Sequence, residues 1–229
     1  VGANKNSAKI IGDLTGNKVQ AYFVYDSKKS GSMTISHVRF GSREIRSSYL
    51  IQKADFIGCH KFSFLELYDI LKPLKKGGVF LLNSPFSKDE VWDKLPIEVQ
   101  KEIIEKEAKF YIINADEIAE KIALGGRTNT ILQTAFFKIS NIIPFEKAVE
   151  AIKDAIKKTY GRYGDKVVNM NIAAVDAGIN ELYEVNYPKT ANSTIKMHKY
   201  ITDPTAPEIV RKAISKMVAF EGDDVPVSW

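Results

Sequence analysis

Two adjacent lysines, Lys28 and Lys29, stand in a hydrophilic run, Asp26–Ser32, together with Ser27, Ser30, Gly31 and Ser32. Ammonium groups beside hydroxyls and a permissive glycine are the donors that grip a phosphate. The structural alternative is a loop whose lysines meet only water. A second cluster is Gly125-Gly126-Arg127-Thr128-Asn129, a glycine pair running into a helix with an arginine at its mouth. Free backbone N–H groups and a fixed positive charge would face an anion there. The same glycines also suit the end of one helix before the next begins. Asn169-Met170-Asn171 sets two amides early in a later helix, facing either ligand or solvent. The opening Val1-Gly2-Ala3-Asn4-Lys5 reads as the tail of a phosphate-cradling loop.

Signals for bond chemistry are weaker. His37 falls within a strand-like run, His60 follows another, and His198 lies near the C-terminal end, with no metal-ligand spacing among them. No Gly-x-Ser-x-Gly nucleophile elbow is present. Cys59, the single cysteine, is better suited to filling apolar space than to attack, and cannot alone hold a cluster or a structural zinc. One cysteine also suggests a reducing, cytoplasmic setting. The longest apolar runs, such as Gly77–Leu82, are too short to span a bilayer. Thirty-three basic against 28 acidic residues, spread without a basic block, suit an anionic small ligand rather than nucleic acid.

The elements that must position these residues alternate at first. Apolar runs predict strands at Ala21–Tyr25, Thr34–Phe40, Ala54–Cys59, Val79–Asn83 and Lys109–Asn114, with a short edge segment at Ser48–Leu50. Helical periodicity predicts Phe64–Leu74, a helix within Asp89–Lys106 with Pro96 near its start, and Asp116–Leu124. Asn6 or Ser7 is the expected N-cap of a first helix. The lysine run then sits at the end of a buried strand, where an open α/β sheet binds its ligand. After Gly125 only helices follow: Thr130–Asn141, Phe145–Tyr160 and Lys166–Glu184, with Pro144 opening the second and Asp165 capping the third. The expected fold is a three-layer α/β/α sandwich around a mostly parallel or mixed sheet, followed by helices and an extended C-terminal connector. Residues 1–185 form the domain. Residues 186–229 form the connector, with one helix at Pro207–Phe220, leading toward a next domain.

Val1–Gly12, Ala21–Gly31 and Thr34–Gly41 resemble pyruvate:ferredoxin (flavodoxin) oxidoreductase, in the γ-type domain, the third of the long single-chain enzyme. The resemblance continues through Ile45–Leu50, Ala54–His60, Lys75–Gly78, Phe110–Asn114, Leu124–Asn129, Val167–Asp176 and Gly222–Ser228. It implies an enzyme that converts pyruvate and coenzyme A to acetyl-CoA and CO2, passing electrons to ferredoxin or flavodoxin. Its thiamine diphosphate, Mg2+ and [4Fe–4S] clusters would be held by other domains, and this fragment alone would be inactive. The resemblance implies that this domain helps bind coenzyme A through Val1, Gly2, Lys28, Lys29, Asn129 and Asn171, with Arg127 as a further contact. Implied partners are the other domains of the polypeptide and a second copy of the intact enzyme, with no membrane or nucleic acid. Two departures stand out. The Gly-Leu-Gly-x-Asp-Gly-Thr turn and strand expected before Val1 are not in the sequence, and Ser32 stands where a glycine is usual. The competing reading is a structural or docking domain that touches no ligand.

Overall fold

The computed structural model describes residues 2–25, 33–198, 203–219 and 221–228. Its centre is a four-stranded sheet in the order β3 (Ala54–Cys59), β4 (Leu74–Asn83), β5 (Lys109–Ile113) and β6 (Tyr183–Glu184). The first three run parallel, and β6 pairs antiparallel with Tyr111 and Ile112. Both faces are covered along the second half of β4 and most of β5, so Val79–Leu82 and Phe110–Ile113 read as continuous apolar runs. Phe80, Leu82, Phe110 and Ile112 point into one core with Leu65, Trp92, Leu95 and Ile103. Leu81 and Ile113 point into the other with Ile118, Ile131 and Ala174. Phe80 and Phe110 stack across the β4–β5 pair at 5.2 Å.

Helices α2 (Phe64–Leu67), α3 (Val91–Lys94) and α4 (Ile97–Glu105) belong to the first face. The second face carries α5 (Ala115–Lys121), α6 (Asn129–Ser140) and α8 (Asp165–Asn180). Beyond them, α1 (Gly2–Thr15) and α7 (Phe145–Tyr160) close a further apolar cluster with α6 and α8 around Ile11, Phe137, Ile152 and Val175. The mixed sheet between helical layers is the expected α/β architecture.

Several expectations are corrected. The helix expected over Phe64–Leu74 ends at Leu67, and Leu74 already belongs to β4. Pro73 disfavours helical backbone at Lys72, and its carbonyl instead accepts from Ala54 N–H at 2.7 Å. Strand β6 occupies residues expected to end a helix, because α8 stops at Asn180. Asp165 is the first residue of α8 and does not cap it; Gly164 precedes it with φ +91°. Gly78 closes the bend where β4 shifts register against β3. A Cβ there would lie 2.7 Å from Leu74 Cδ1 and 2.8 Å from the Lys75 carbonyl, so the backbone admits only glycine.

The largest correction concerns the two strands flanking the lysine run. β1 (Lys18–Tyr25) and β2 (Thr34–Gly41) pair only with each other, as an antiparallel ribbon separate from the main sheet. None of their residues is fully buried. A Cβ on Gly12 of α1 would lie 3.6 Å from Val19 Cγ2, which places α1 against one face of the ribbon. Residues 47–51 run beside it as coil rather than an edge strand. Gln20 Nε2 donates to Ser47 O at 2.8 Å, Arg39 to Tyr49 O, and Ile51 N–H to His37 Nδ1 at 3.2 Å.

The C-terminal stretch begins by wrapping the domain. Val185 N–H donates to Phe110 O at 2.8 Å, and Tyr187 stacks on Trp92 at 5.2 Å. Gln100 Oε1 accepts from Asn192 and Ser193 N–H, and Ile97 N–H donates to Ile195 O. The expected helix at Pro207–Phe220 is shorter. A π-helical turn, Val210–Ile214, runs into α9, Ser215–Val218.

One carboxylate on α4 ties stability to pH. Glu102 lies 3.5 Å from Lys106 and beside Asp69. Desolvation first, and the Asp69 charge second, push its carboxyl up to about 7 from an ordinary 4.5. The folded chain therefore holds a proton that the unfolded chain has released between those values. This contribution is full below about pH 4.5 and is lost as pH rises through 7. Solvent reaches part of the group, which reduces the effect to about 1–2 kcal/mol. Glu102→Gln should match the parent near pH 5 and unfold at higher temperature near pH 8. Thermal midpoints across that range would contradict this if both proteins kept the same slope.

Candidate anion-binding site

The chain brings two helix N-termini together. Gly2 opens α1 and Asn129 opens α6, and a Cβ on Gly2 would lie 3.8 Å from Asn129 Nδ2. One turn further, Asn6 Nδ2 donates to Gln133 Oε1 at 3.3 Å, and Gln133 Nε2 donates to Ser7 Oγ at 3.1 Å. Two turns on, Ile10 and Phe137 share one apolar cluster. These matches pair residues 126 or 127 apart, so α1 and α6 run parallel with both positive ends on one side.

Neither end carries its own counter-charge. The first turns of α1 and α6 contain no acidic residue. Thr128, which precedes α6, makes no side-chain cap. By contrast, the α5 terminus is closed by Asn114, whose side chain accepts from Glu117 N–H at 3.1 Å. Gly125 (φ +56°) and Gly126 (φ +76°) turn the chain into α6 in left-handed conformations suited to glycine. Arg127 and Lys5 stand exposed near the two termini. Two adjacent dipole ends, each equivalent to roughly half a positive charge, repel one another, and an anion between them removes that cost.

The sequence-predicted residues divide accordingly. Gly2 and Asn129 are neighbours, and Arg127 is exposed immediately before Asn129. Asn171 is 2 % exposed, and its Nδ2 donates to Val167 O at 2.9 Å within its own helix. Val1, Lys28 and Lys29 lie outside the described residues. Asn6 and Ser7 sit inside α1 rather than capping it, because the helix already begins at Gly2. Sequence reasoning missed Gln133. Its signal was the i,i+4 spacing from Asn129 on an otherwise apolar helix face.

Other reactive groups are quiet. Cys59 Sγ contacts Lys61 O at 3.2 Å, and burial pushes its thiol up to about 11, so it stays protonated at neutral pH. Partial burial, then the nearby Arg39 charge, hold His37 below the ordinary histidine range. Among the described residues, no three His, Cys, Asp or Glu side chains are grouped to hold a metal ion. A cavity of about 390 Å3 opens past the carboxyl ends of β3 and β4, lined by Lys61, Glu66, Phe86 and Asp116 with Asn83. No described helix is long and apolar enough to cross a membrane.

An α/β domain that sets two parallel helix starts side by side, neither with an acidic first turn, is the class this fold and site define. The chain belongs to the family described as pyruvate ferredoxin/flavodoxin oxidoreductase, whose profile matches residues 1–181. It is 51% identical over 231 residues to the pyruvate-flavodoxin oxidoreductase of Trichormus variabilis, covering 100% of this chain and 19% of that protein. The chain thus spans about a fifth of the length of the curated relatives it matches. Among solved structures it resembles the pyruvate oxidoreductase subunit PORC of Thermotoga maritima. That match has TM-score 0.63 and 21% identity, covering 81% of this chain and 90% of the other. The fold is also shared with 2-oxoglutarate:ferredoxin oxidoreductase from Magnetococcus marinus, solved with coenzyme A bound. There the TM-score is 0.59 and identity 15%, over 86% of this chain and 30% of that one.

Proposed function

We propose that this chain is the coenzyme A-binding and positioning domain of a 2-oxoacid oxidoreductase. The full-length enzyme would convert pyruvate and coenzyme A to acetyl-CoA and CO2, releasing two electrons and a proton, the electrons going to ferredoxin or flavodoxin. The observation that carries this reading is the parallel pair of helix starts at Gly2 and Asn129, side by side and without an acidic residue in either first turn. The phosphates of the nucleotide end of coenzyme A are multivalent anions, which such a pair favours. Arg127 and Asn129 supply side-chain donors, and the resemblance adds Val1, Lys28 and Lys29. Asn171, buried and committed to Val167 O, supports α8 rather than the ligand.

In this reading the domain holds and aims coenzyme A, so that its thiol reaches an intermediate elsewhere in the polypeptide. Thiamine diphosphate, Mg2+ and clusters belong to other domains. The single thiol here, Cys59, is 3 % exposed and committed to Lys61 O, which does not suit a cluster ligand. Replacing Lys28 and Lys29 together by alanine in the full-length enzyme should raise the KM for coenzyme A about tenfold, given roughly 1.5–3 kcal/mol for a charge-assisted contact. The pyruvate KM should stay unchanged. An unaltered coenzyme A dependence would count against the reading.

A docking role, with contacts to other domains or a second copy, is the second reading. The ribbon favours it, because Tyr22, Tyr25 and Ile35 are 55%, 62% and 40% exposed and Tyr49 beside them is 67% exposed. Such a surface suits burial against a partner.

A further inference from the structure

The coenzyme A reading requires two helix termini, 127 residues apart in sequence, to keep one relative height. Dipole repulsion between parallel neighbours works against that alignment. The apolar seam of Ile10, Ile11 and Phe137 is non-directional, whereas hydrogen bonds between the helices hold a defined geometry. Directional contacts therefore matter here, and one side chain on α6 supplies the contacts to two consecutive α1 residues.

Resting on that reading, we infer that Gln133 is a positioning residue for the anion site. Its carbonyl oxygen takes Asn6 Nδ2 at 3.3 Å, and its amide nitrogen gives to Ser7 Oγ at 3.1 Å. Gln133 is 6% exposed and Ser7 4%, so neither contact competes freely with water. The clamp lies one helical turn below Gly2 and Asn129, close enough to set their spacing yet below the ligand-facing termini. Gln133 touches no ligand. It acts by keeping the two sets of terminal N–H groups converging on one anion, which lowers the reorganisation needed on binding. A glutamine does this where a leucine cannot, because only an amide both accepts from Asn6 and donates to Ser7.

The test uses the full-length enzyme with three single variants and one double variant. Gln133→Leu should raise the KM for coenzyme A about tenfold, leaving the 2-oxoacid KM and kcat at saturating coenzyme A within twofold of the parent. Ser7→Ala removes one arm of the clamp without threatening the fold and should raise the same KM about two- to threefold. In the double variant the effects should combine to less than their product, because both remove one contact. Uniform loss of kcat with every KM unchanged, or equal effects on both substrates, would assign Gln133 a merely structural role and overturn the inference. Asn129→Asp separates the two levels. If it raises the coenzyme A KM while Gln133→Leu and Ser7→Ala do not, the clamp alone is wrong. If none of the three moves that KM, the coenzyme A reading itself has failed.

Discussion

Asn129→Asp in the full-length enzyme is expected to raise the KM for coenzyme A thirtyfold or more while slightly raising the thermal stability of this domain. The two signs oppose each other for one electrostatic reason. Asn129 is the first residue of α6, where no acidic residue balances the dipole and Thr128 makes no side-chain cap. A carboxylate there gains roughly 0.3–1 kcal/mol from the helix terminus alone. For a chain of this size that is on the order of 1–4 °C in thermal midpoint. In the coenzyme A reading the same charge takes the place of the incoming anion. It removes an amide donor and sets like charge against phosphate, a loss of about 2–3 kcal/mol that corresponds to roughly 30- to 150-fold in affinity. A domain that only docks would show the stability gain and an unchanged coenzyme A KM. Steady-state kinetics with coenzyme A varied at saturating pyruvate, beside a thermal melt, reads both effects.

How far the sequence reached is decided by range. The β4 and β5 segments were legible because burial on both faces writes itself as continuous apolar sequence, as in Val79-Phe80-Leu81-Leu82. Helix α7 was legible from its period, with Ala148, Ile152 and Ile156 on one buried stripe. The ribbon was misread as part of the main sheet. A short apolar run looks the same whether its partner strand is a crossover away or its immediate neighbour. β6 was missed because two residues carry no period at all; their pairing with Tyr111 and Ile112 is decided by tertiary contact. At the site, the Gly-Gly-Arg-Thr-Asn segment announced a helix terminus and the family fragments directed attention to Gly2. Nothing local says that these termini face each other. That fact lives in the Asn6, Ser7 and Gln133 hydrogen bonds, between residues that look like ordinary helix polarity when read singly.

The same dependence on distant partners makes Asn83 a sharp test of what holds the carboxyl edge of the sheet together. Asn83 ends β4 and is 4% exposed. Its Oδ1 accepts from Ala115 N–H at 2.9 Å, at the start of α5. Its Nδ2 donates to His60 O at 3.1 Å and Asp116 Oδ2 at 2.8 Å. One amide thus ties the ends of β3 and β4 to α5. Asn83→Ala strands the fully buried Ala115 N–H and two acceptors at once, a cost of about 3 kcal/mol and roughly 6–12 °C in thermal midpoint. Asn83→Asp nearly preserves shape and the acceptor for Ala115, but turns the donor into an acceptor facing His60 O and the Asp116 carboxylate. Burial and that neighbour raise the new carboxyl's pKa in the fold above its unfolded value, so the folded variant retains a proton that the unfolded chain gives up. When protonated, the new group can donate again to His60 O or Asp116. The variant should therefore approach the parent's stability near pH 5 and fall away from it as pH rises to 8. Melts of parent and variant across that range check the sign. A deficit that stays constant with pH would mean that Asn83 fills space at the strand end rather than joining it through hydrogen bonds.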